Sequence, residues 1–264
     1  MLKEIIVCIK QVPASSNVQI DPTSGVLIRD GNNSKMNPYD LYAIEAALKI
    51  KEATGAKVNV LTMGPPAANA VLDEALWMGA DDAYLLTDRK FAGADVVATS
   101  FTLAQGIKRI GNFDLVICGK QTTDGDTAQV GPEMGEHLGI PYACYVDKIE
   151  ECKDDEIIVR VNMDKVYETI AIKYPCLITV DKAIATPRLP SYKRSVAFKE
   201  HQNHNITLLD LEDKSEDHYG LKGSPTQVEA MFNPERNKSK VVLKGTSDEL
   251  ANKLYDVLKE SKYI

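Results

Sequence analysis

The chain has 264 residues, of which 44% are hydrophobic and 26% charged, a composition typical of an ordinary soluble globular protein with one sizeable core. Its formal net charge of −7 argues against a nucleic-acid partner, because a polyanion needs a basic surface. No run of about 20 apolar residues occurs, so we expect no membrane insertion, and the short apolar run at the N-terminus is interpreted as a core strand and not a signal peptide.

Strand and helix patterns alternate along the first 180 residues. Short apolar runs predict buried strands, and apolar residues at helical spacing between them predict helices. The predicted elements are, in chain order, strand 5–9, helix 37–54, strand 57–63, helix 67–78, strand 83–86, helix 94–110, strand 115–118 and helix 128–138. This alternation predicts an α/β fold with a doubly wound, mostly parallel sheet. Pro132 indicates that the last helix begins a residue or two after Asp126.

The pattern changes after residue 140. Three segments predict antiparallel strands and a fourth returns to a buried strand, at 145–151, 156–161, 166–172 and 176–180. The parallel sheet is therefore expected to carry an antiparallel extension. From residue 186 onward, prolines and clustered charges replace long apolar runs, with one strand expected over 205–211 and an amphipathic helix over 246–259. Such a tail buries too little apolar surface alone and is expected to wrap around something else.

The most polar turn follows the strand 115–118. Gly119 is expected to let the chain turn close to a ligand, and Gly125 interrupts regular structure. Asp124 and Asp126 repel phosphate, so we expect them to cap the next helix or to accept from ribose hydroxyls. Neutral donors and acceptors come from Gln121, Thr122, Thr123, Thr127 and Gln129, and helix-terminal N–H groups from Thr127, Ala128, Gln129 and Val130. These features predict a phosphate-bearing nucleotide at the carboxyl end of a parallel sheet.

Three further loops are predicted to leave the sheet on the same side. Strand one ends at Cys8, Asn37 with Pro38 opens the first long helix, and strand two ends at a turn containing Gly64. Taken singly, Asn37 is most simply a helix cap and the Gly64 turn most simply a turn. Their coincidence at one predicted sheet edge with the polar loop favours a binding site.

Other classes of site find no support. Neither GxGxxG nor GxxxxGK[ST] occurs, which argues against an ordinary dinucleotide fold and a P-loop kinase. The four histidines lack ligand spacing, and no GxSxG or Cys-His nucleophile pattern occurs, so we expect no metal site and no catalytic side chain. The five cysteines form no CxxC pair and are expected to be free thiols in a reducing cytoplasm. Any chemistry would then come from a bound cofactor.

Five motifs, in this order and spacing, resemble the small (beta) subunit of electron-transfer flavoproteins. They are CIKQVP (8–13), MNPYD (36–40), MGADD (78–82), GKQTTDGDTAQVGP (119–132) and TPRLP (186–190), with similarity continuing through GSPTQV (223–228) to the terminal helix. The resemblance implies a heterodimer with a larger alpha subunit that holds a flavin, and a second nucleotide in the small subunit. Carried over, that nucleotide site is Cys8; Asn37, Pro38, Tyr39 and Asp40; Met63 and Gly64; and Gly119, Lys120, Gln121, Thr122, Thr123, Asp124, Gly125, Asp126, Thr127, Ala128, Gln129 and Val130.

The second nucleotide is AMP in most members and FAD in those that bifurcate electrons. Small residues at Gly125 and Ala128, where AMP-binding members tend to carry an acidic loop and an asparagine, resemble the bifurcating group. We therefore favour FAD, which would take a hydride from NADH and pass electrons to the alpha-subunit FAD with an acyl-CoA dehydrogenase-type partner, and to ferredoxin or flavodoxin. An ordinary electron-transfer flavoprotein with structural AMP, and a non-redox nucleotide-binding module, remain the alternatives.

The segment 186–199 mixes apolar, aromatic and basic residues, a composition typical of a protein-contact anchor. The resemblance implies that it docks onto the dehydrogenase, with Tyr192 as the best match to the inserted side chain and with Leu189 and Arg194 beside it. We therefore divide the chain into a nucleotide-binding core, 1–185, and a partner-recognition loop with a C-terminal arm around the alpha subunit, 186–264.

Overall fold

The computed structural model describes residues 2–14, 34–229 and 240–264. The chain forms two compact units, Met1–Glu229 and Ala230–Ile264. The strands are β1 (Glu4–Cys8), β2 (Gln11–Pro13), β3 (Ser34–Met36), β4 (Lys57–Met63), β5 (Asp82–Leu86), β6 (Leu115–Gly119), β7 (Tyr142–Cys152), β8 (Glu156–Asn162), β9 (Tyr167–Lys173), β10 (Cys176–Val180) and β11 (His204–Ile206). The helices are α1 (Pro38–Thr54), α2 (Asn69–Met78), α3 (Val96–Ile110), α4 (Val130–Leu138), α5 (Tyr192–Ala197) and α6 (Ser247–Glu260).

Nine of the described strands form one sheet in the order β11-β5-β4-β1-β6-β10-β7-β8-β9. Pairing is parallel from β11 to β7 and antiparallel from β7 to β9, while β2 and β3 form a separate antiparallel pair. The predicted α/β fold, with its parallel sheet and antiparallel extension, is confirmed. The central strands are almost wholly buried because helices cover both faces, which is why their sequences read as continuous apolar runs.

The sheet has a topological switch point between β1 and β6. From β1 the chain moves to β4 and β5 on one side, and then returns to β6 on the other side of β1. The two strands are in direct register, with Cys8 opposite Cys118 at their carboxyl ends. Adjacent loops leave such a point in opposite directions and open a crevice, the usual ligand site of doubly wound sheets.

Several predicted boundaries are wrong for local reasons. Helix α4 begins at Val130 and not at 128, since Ala128 has the left-handed φ of +56° that no helix accommodates. The strand expected over 205–211 is only His204–Ile206, because Thr207 donates from its N–H and hydroxyl to Asp210 and starts a 3₁₀ turn, Leu208–Asp210. Helix α5 and the β2–β3 pair were not predicted.

The segment following residue 185 continues in the same compact unit as the sheet as far as Glu229, since β11 pairs with β5. The second unit, Ala230–Ile264, contains α6, whose start is fixed by a capping box between Thr246 and Glu249. This confirms the predicted terminal helix. Within the described residues, no helix combines the length and the apolar character needed to cross a bilayer.

Candidate functional site

Asn37 is the polar centre of the predicted site. It precedes α1 as its N-cap residue, yet its side chain makes no capping hydrogen bond. Instead its amide donates to Asp40 Oδ1 and to the main-chain oxygen of Gln121, both at 2.9 Å, and its oxygen accepts from Thr123 N at 3.2 Å. The side chain is fully buried. Asn37 therefore ties the start of α1 to the loop after β6, which replaces the capping role expected from the sequence.

Asp40 extends this network to the end of β1. Its Oδ2 accepts from the Lys10 N–H at 2.7 Å. Burial raises the pKa of Asp40 to about 7, although the hydrogen bonds from Asn37 and the Lys10 N–H and the charge of the Lys10 ammonium oppose the rise. A buried carboxyl that titrates near neutrality thus joins the loops that flank the switch point.

Gly119 is required by packing at the same place. A Cβ on Gly119 would collide with the Asp40 carboxylate and would lie 2.7 Å from the main-chain carbon of Tyr39. A Cβ on Gly64 would lie 2.9 Å from the Cβ of Ala68. The absence of a side chain at each glycine therefore lets the neighbouring part of the protein pack closely against the backbone. Close approach of a ligand to these two glycines stays a prediction.

Both acidic residues of the loop after β6 have side-chain partners within the protein. Asp124 binds the Lys10 ammonium through both oxygens, at 2.8 and 2.7 Å. Partial burial raises the pKa of Asp124, but the Lys10 contact outweighs it and the pKa is lowered. Asp126 accepts from the Gln121 side-chain amide. Neither carboxylate caps α4, and Lys10 offsets the charge of Asp124 that would repel a phosphate.

The N-terminus of α4 is left uncapped by side chains. Its N-cap residue, Gln129, makes no side-chain capping bond, and Pro132 in the first turn has no N–H. The preceding residues Asp126 and Ala128 both have φ of +56°. Left-handed backbone at alanine costs about 1–2 kcal/mol, and such strain clusters at ligand sites. The first amides of α4 therefore point out of the helix with its positive dipole end, an arrangement suited to an anion.

The remaining predicted residues lie at the same sheet edge. Cys8 and Cys118 are adjacent buried thiols, and a hydrogen bond donated to Cys8 together with burial raises the pKa of Cys118, which keeps the Cys118 thiol protonated. Gln11 donates to the Ala67 oxygen at 3.2 Å and connects the loop after β1 to the Met63–Gly64 turn. Lys120 pairs with Asp181 at 3.3 Å. Among the described residues no group of His, Cys, Asp and Glu side chains is arranged to hold a metal ion.

Two contributors were missed by sequence reasoning. Lys10 neutralises Asp124 and positions Asp40, and its only sequence signal is its place directly after a strand that ends at the switch point. Thr179 on β10 fills the space left open by Gly131 of α4, so that a Cβ on Gly131 would collide with its methyl group. The contact seats the start of α4 against the sheet.

The segment 186–199 is fixed to the protein through its arginines. Arg194 donates to the carbonyl oxygens of Leu76 at 2.7 Å and Ala80 at 2.5 Å, where α2 ends. Arg188 makes a bidentate ion pair with the buried Glu45: its Nε donates to Oε2 at 2.8 Å and its Nη2 donates to Oε1 at 3.0 Å. The other two side chains predicted to dock project into solvent, since Leu189 is 88% exposed and Tyr192 84% exposed. Arg194 therefore holds the segment in place, and the apolar residues form its outer surface.

Comparison with known proteins gives consistent matches. A profile of the electron transfer flavoprotein domain matches residues 24–206. The chain is 45% identical over 260 residues to the electron transfer flavoprotein subunit beta of Clostridium acetobutylicum, covering 98% of this chain and 99% of that protein. It is 45% identical over 264 residues to the caffeyl-CoA reductase-Etf complex subunit CarD of Acetobacterium woodii, with the same coverage. It is 40% identical over 271 residues to the acryloyl-CoA reductase electron transfer subunit gamma of Anaerotignum propionicum, again with coverage of 98% and 99%.

Proposed function

This chain belongs to the electron transfer flavoprotein family as a beta subunit, and on that premise we propose that it binds FAD and takes part in flavin-based electron bifurcation. In this proposal NADH donates a hydride at the small subunit. One electron goes to the FAD of the alpha subunit and an acyl-CoA dehydrogenase-type partner, and the other goes to ferredoxin or flavodoxin. The complex would work in the cytoplasm. Relatives named as subunits of caffeyl-CoA and acryloyl-CoA reductase systems support an acyl-CoA partner.

The observation that carries the proposal is the uncapped start of α4, preceded by a loop whose carboxylates have side-chain partners within the protein. These residues fit the diphosphate of FAD, because Lys10 offsets the charge of Asp124 while the helix amides remain available. Bound FAD would supply the redox chemistry. The chain's own residues would hold the adenosine and phosphate end through the loops after β1, β4 and β6.

AMP binding by an ordinary electron transfer flavoprotein is the runner-up, since AMP would use the same phosphate contacts. A non-redox nucleotide-binding module of the same sheet architecture is the third possibility. The three candidate functions predict different cofactor contents: two FAD per heterodimer, one FAD with one AMP, or no flavin. The nucleotide content of the purified complex therefore separates them.

Gly125→Val tests the placement of the phosphates. We expect the variant to fold, because Gly125 does not have a left-handed φ and the nearest atom to a Cβ would be Thr122 Oγ1 at 3.8 Å. The branched side chain should hinder the approach of the backbone to the cofactor and lower FAD occupancy. Thr127→Ala should have a milder effect, since one neutral hydrogen bond contributes about 1 kcal/mol. Bound nucleotide and melting temperature are the measurements; full occupancy in Gly125→Val would mean that the phosphates lie elsewhere.

Tyr192→Ala tests the docking segment. We expect dehydrogenase-coupled turnover to fall, because the side chain is 84% exposed and has no structural partner to lose. Reduction of the flavin by NADH and pairing with the alpha subunit should be unchanged. Tyr167→Ala, which removes a 63% exposed tyrosine from β9, is the matched control and should leave turnover intact. Stopped-flow flavin reduction and coupled turnover are measured on the same variant. If both rates fell, or if neither fell, the result would contradict a docking role for Tyr192.

The segment Ala230–Ile264 is proposed to be the arm that binds the alpha subunit. Helix α6 carries Leu250, Leu254, Val257 and Leu258 at helical spacing, which gives one apolar face. An amphipathic helix of this kind is typical of helix-in-groove recognition.

A further inference from the structure

Tyr145 lies beside the proposed phosphate site but outside the residues so far assigned to it. It belongs to β7, which pairs in parallel with β10 over residues 142–146, so Tyr145 lies where β10 reaches the ligand edge of the sheet. The register between the two strands shifts between Ile178 and Val180, which marks a bulge at Tyr145. Bulges near binding sites commonly redirect a side chain.

The backbone of Tyr145 is held in an unfavourable conformation. Its φ is +60°, a value at which an aromatic L-residue is an outlier. The conformation is fixed by Thr179, whose buried hydroxyl accepts from the Tyr145 N–H at 3.1 Å. The methyl group of the same threonine packs against Gly131 in the first turn of α4. Thr179 therefore contacts both Tyr145 and the first turn of α4, the helix terminus that is proposed to bind the phosphates.

The tyrosine ring is partly exposed and carries a cation on one side. It is 37% exposed, and Lys120 Nζ lies 5.2 Å from the ring centroid. Lys120 is itself positioned by its N–H, which donates to Val180 at 2.9 Å, and by the ion pair with Asp181. An aromatic ring and an ammonium thus lie together at this edge of the sheet, a combination suited to stacking a planar ligand group with a positive charge beside it.

The order of the strands indicates which end of a bound dinucleotide would lie near Tyr145 and Lys120. The residues proposed for the adenosine end follow β4 and β1, the phosphate loop follows β6, and the next strands along the sheet are β10 and β7. AMP would end at the phosphate, whereas FAD would continue past it. We propose that Tyr145 and Lys120 form a subsite for the flavin end of a dinucleotide, which AMP does not reach. This inference rests on the proposed FAD function.

Tyr145→Gly is the sharpest test, because glycine relieves the left-handed strain while removing the ring. The probes are FAD and AMP, titrated by calorimetry into the full-length chain paired with its alpha subunit and stripped of the small-subunit nucleotide. We expect FAD to bind about tenfold more weakly, AMP to bind as in the parent, and the nucleotide-free melting temperature to be equal or higher. Tyr145→Phe should bind FAD within about twofold of the parent, since it keeps the aromatic face.

Fluorescence of the bound flavin gives a second readout. A tyrosine that contacts the flavin quenches its emission, so Tyr145→Gly should fluoresce more strongly per bound FAD. Unchanged FAD affinity and emission would overturn the subsite, as would an equal loss of FAD and AMP. Tyr167→Gly, a second exposed tyrosine, should change neither affinity. Failure of the proposed function would look different: the parent protein itself would then bind AMP in preference to FAD, before any change at residue 145.

Discussion

Asn37→Ala is expected to lower the free energy of unfolding by about 3 kcal/mol and to weaken nucleotide binding by at least about tenfold. The fully buried amide satisfies Asp40 Oδ1, the Gln121 oxygen and the Thr123 N–H, and its removal leaves these groups without that partner. The loop after β6 would lose its connection to α1. Urea unfolding and calorimetric titration with FAD and AMP measure the two effects.

Asn59→Ala is the matched control. Asn59 is also nearly buried, but its amide donates to Glu4 Oε2 at 3.1 Å near the amino ends of the strands, at the opposite edge of the sheet. This variant should lose about 1 kcal/mol of stability and bind nucleotide as the parent does. If Asn37→Ala and Asn59→Ala bound nucleotide equally well, Asn37 would not be what holds the phosphate loop.

The second large effect is a pH dependence that originates at Asp40. Its pKa is raised from 3.8 to about 7, so between these values the native chain keeps a proton that the unfolded chain has released. Stability must then fall as pH rises through this interval, by about 4 kcal/mol in total, and stay level above it. Below pH 4 Asp40 is protonated in both states, so it no longer makes stability depend on pH and its stabilising contribution is fully present. The groups that face Asp40 are the Lys10 N–H and ammonium, the Asn37 amide, the Gly119 N–H and the buried Cys118 thiol.

Asp40→Asn isolates this contribution. Any fixed loss from replacing a carboxyl by an amide is the same at every pH, so the diagnostic quantity is the slope. The stability of the variant relative to the parent, from urea unfolding of nucleotide-free protein, should rise steadily between pH 4 and pH 7 and then level off. A difference that stays constant over this range would show that Asp40 is ionised in the native chain, with an ordinary pKa.

The sheet could be predicted from the sequence because each buried strand is a short, continuous run of apolar residues. Apolar runs such as Ile5–Val7 and Leu115–Cys118 are buried on both faces, and parallel strands deliver their following loops to one edge. The predicted loops after β1, β4 and β6 do lie together there, and Asn37, Lys10 and Gln11 connect them. Nucleotide binding by these residues stays a prediction.

The details of the site were not predictable from the sequence because they depend on contacts between distant residues. Lys10 and Asp124 are 114 positions apart, and no local pattern pairs them. The left-handed φ of Ala128 has no sequence signal, since alanine normally avoids that region. Arg194 donates to main-chain oxygens at the end of α2, a contact that no side-chain pattern reveals, and its predicted part in docking stays a prediction.

In the proposed function the small subunit carries a flavin and not AMP, and the nucleotide content of the gently purified heterodimer distinguishes the two. Denaturation followed by chromatographic quantification should release two FAD per heterodimer and no stoichiometric AMP. NADH titration should then reduce the flavins, with faster turnover when a low-potential acceptor is supplied beside the acyl-CoA partner. One FAD and one AMP per heterodimer would contradict the account and assign the chain to the ordinary electron transfer flavoproteins.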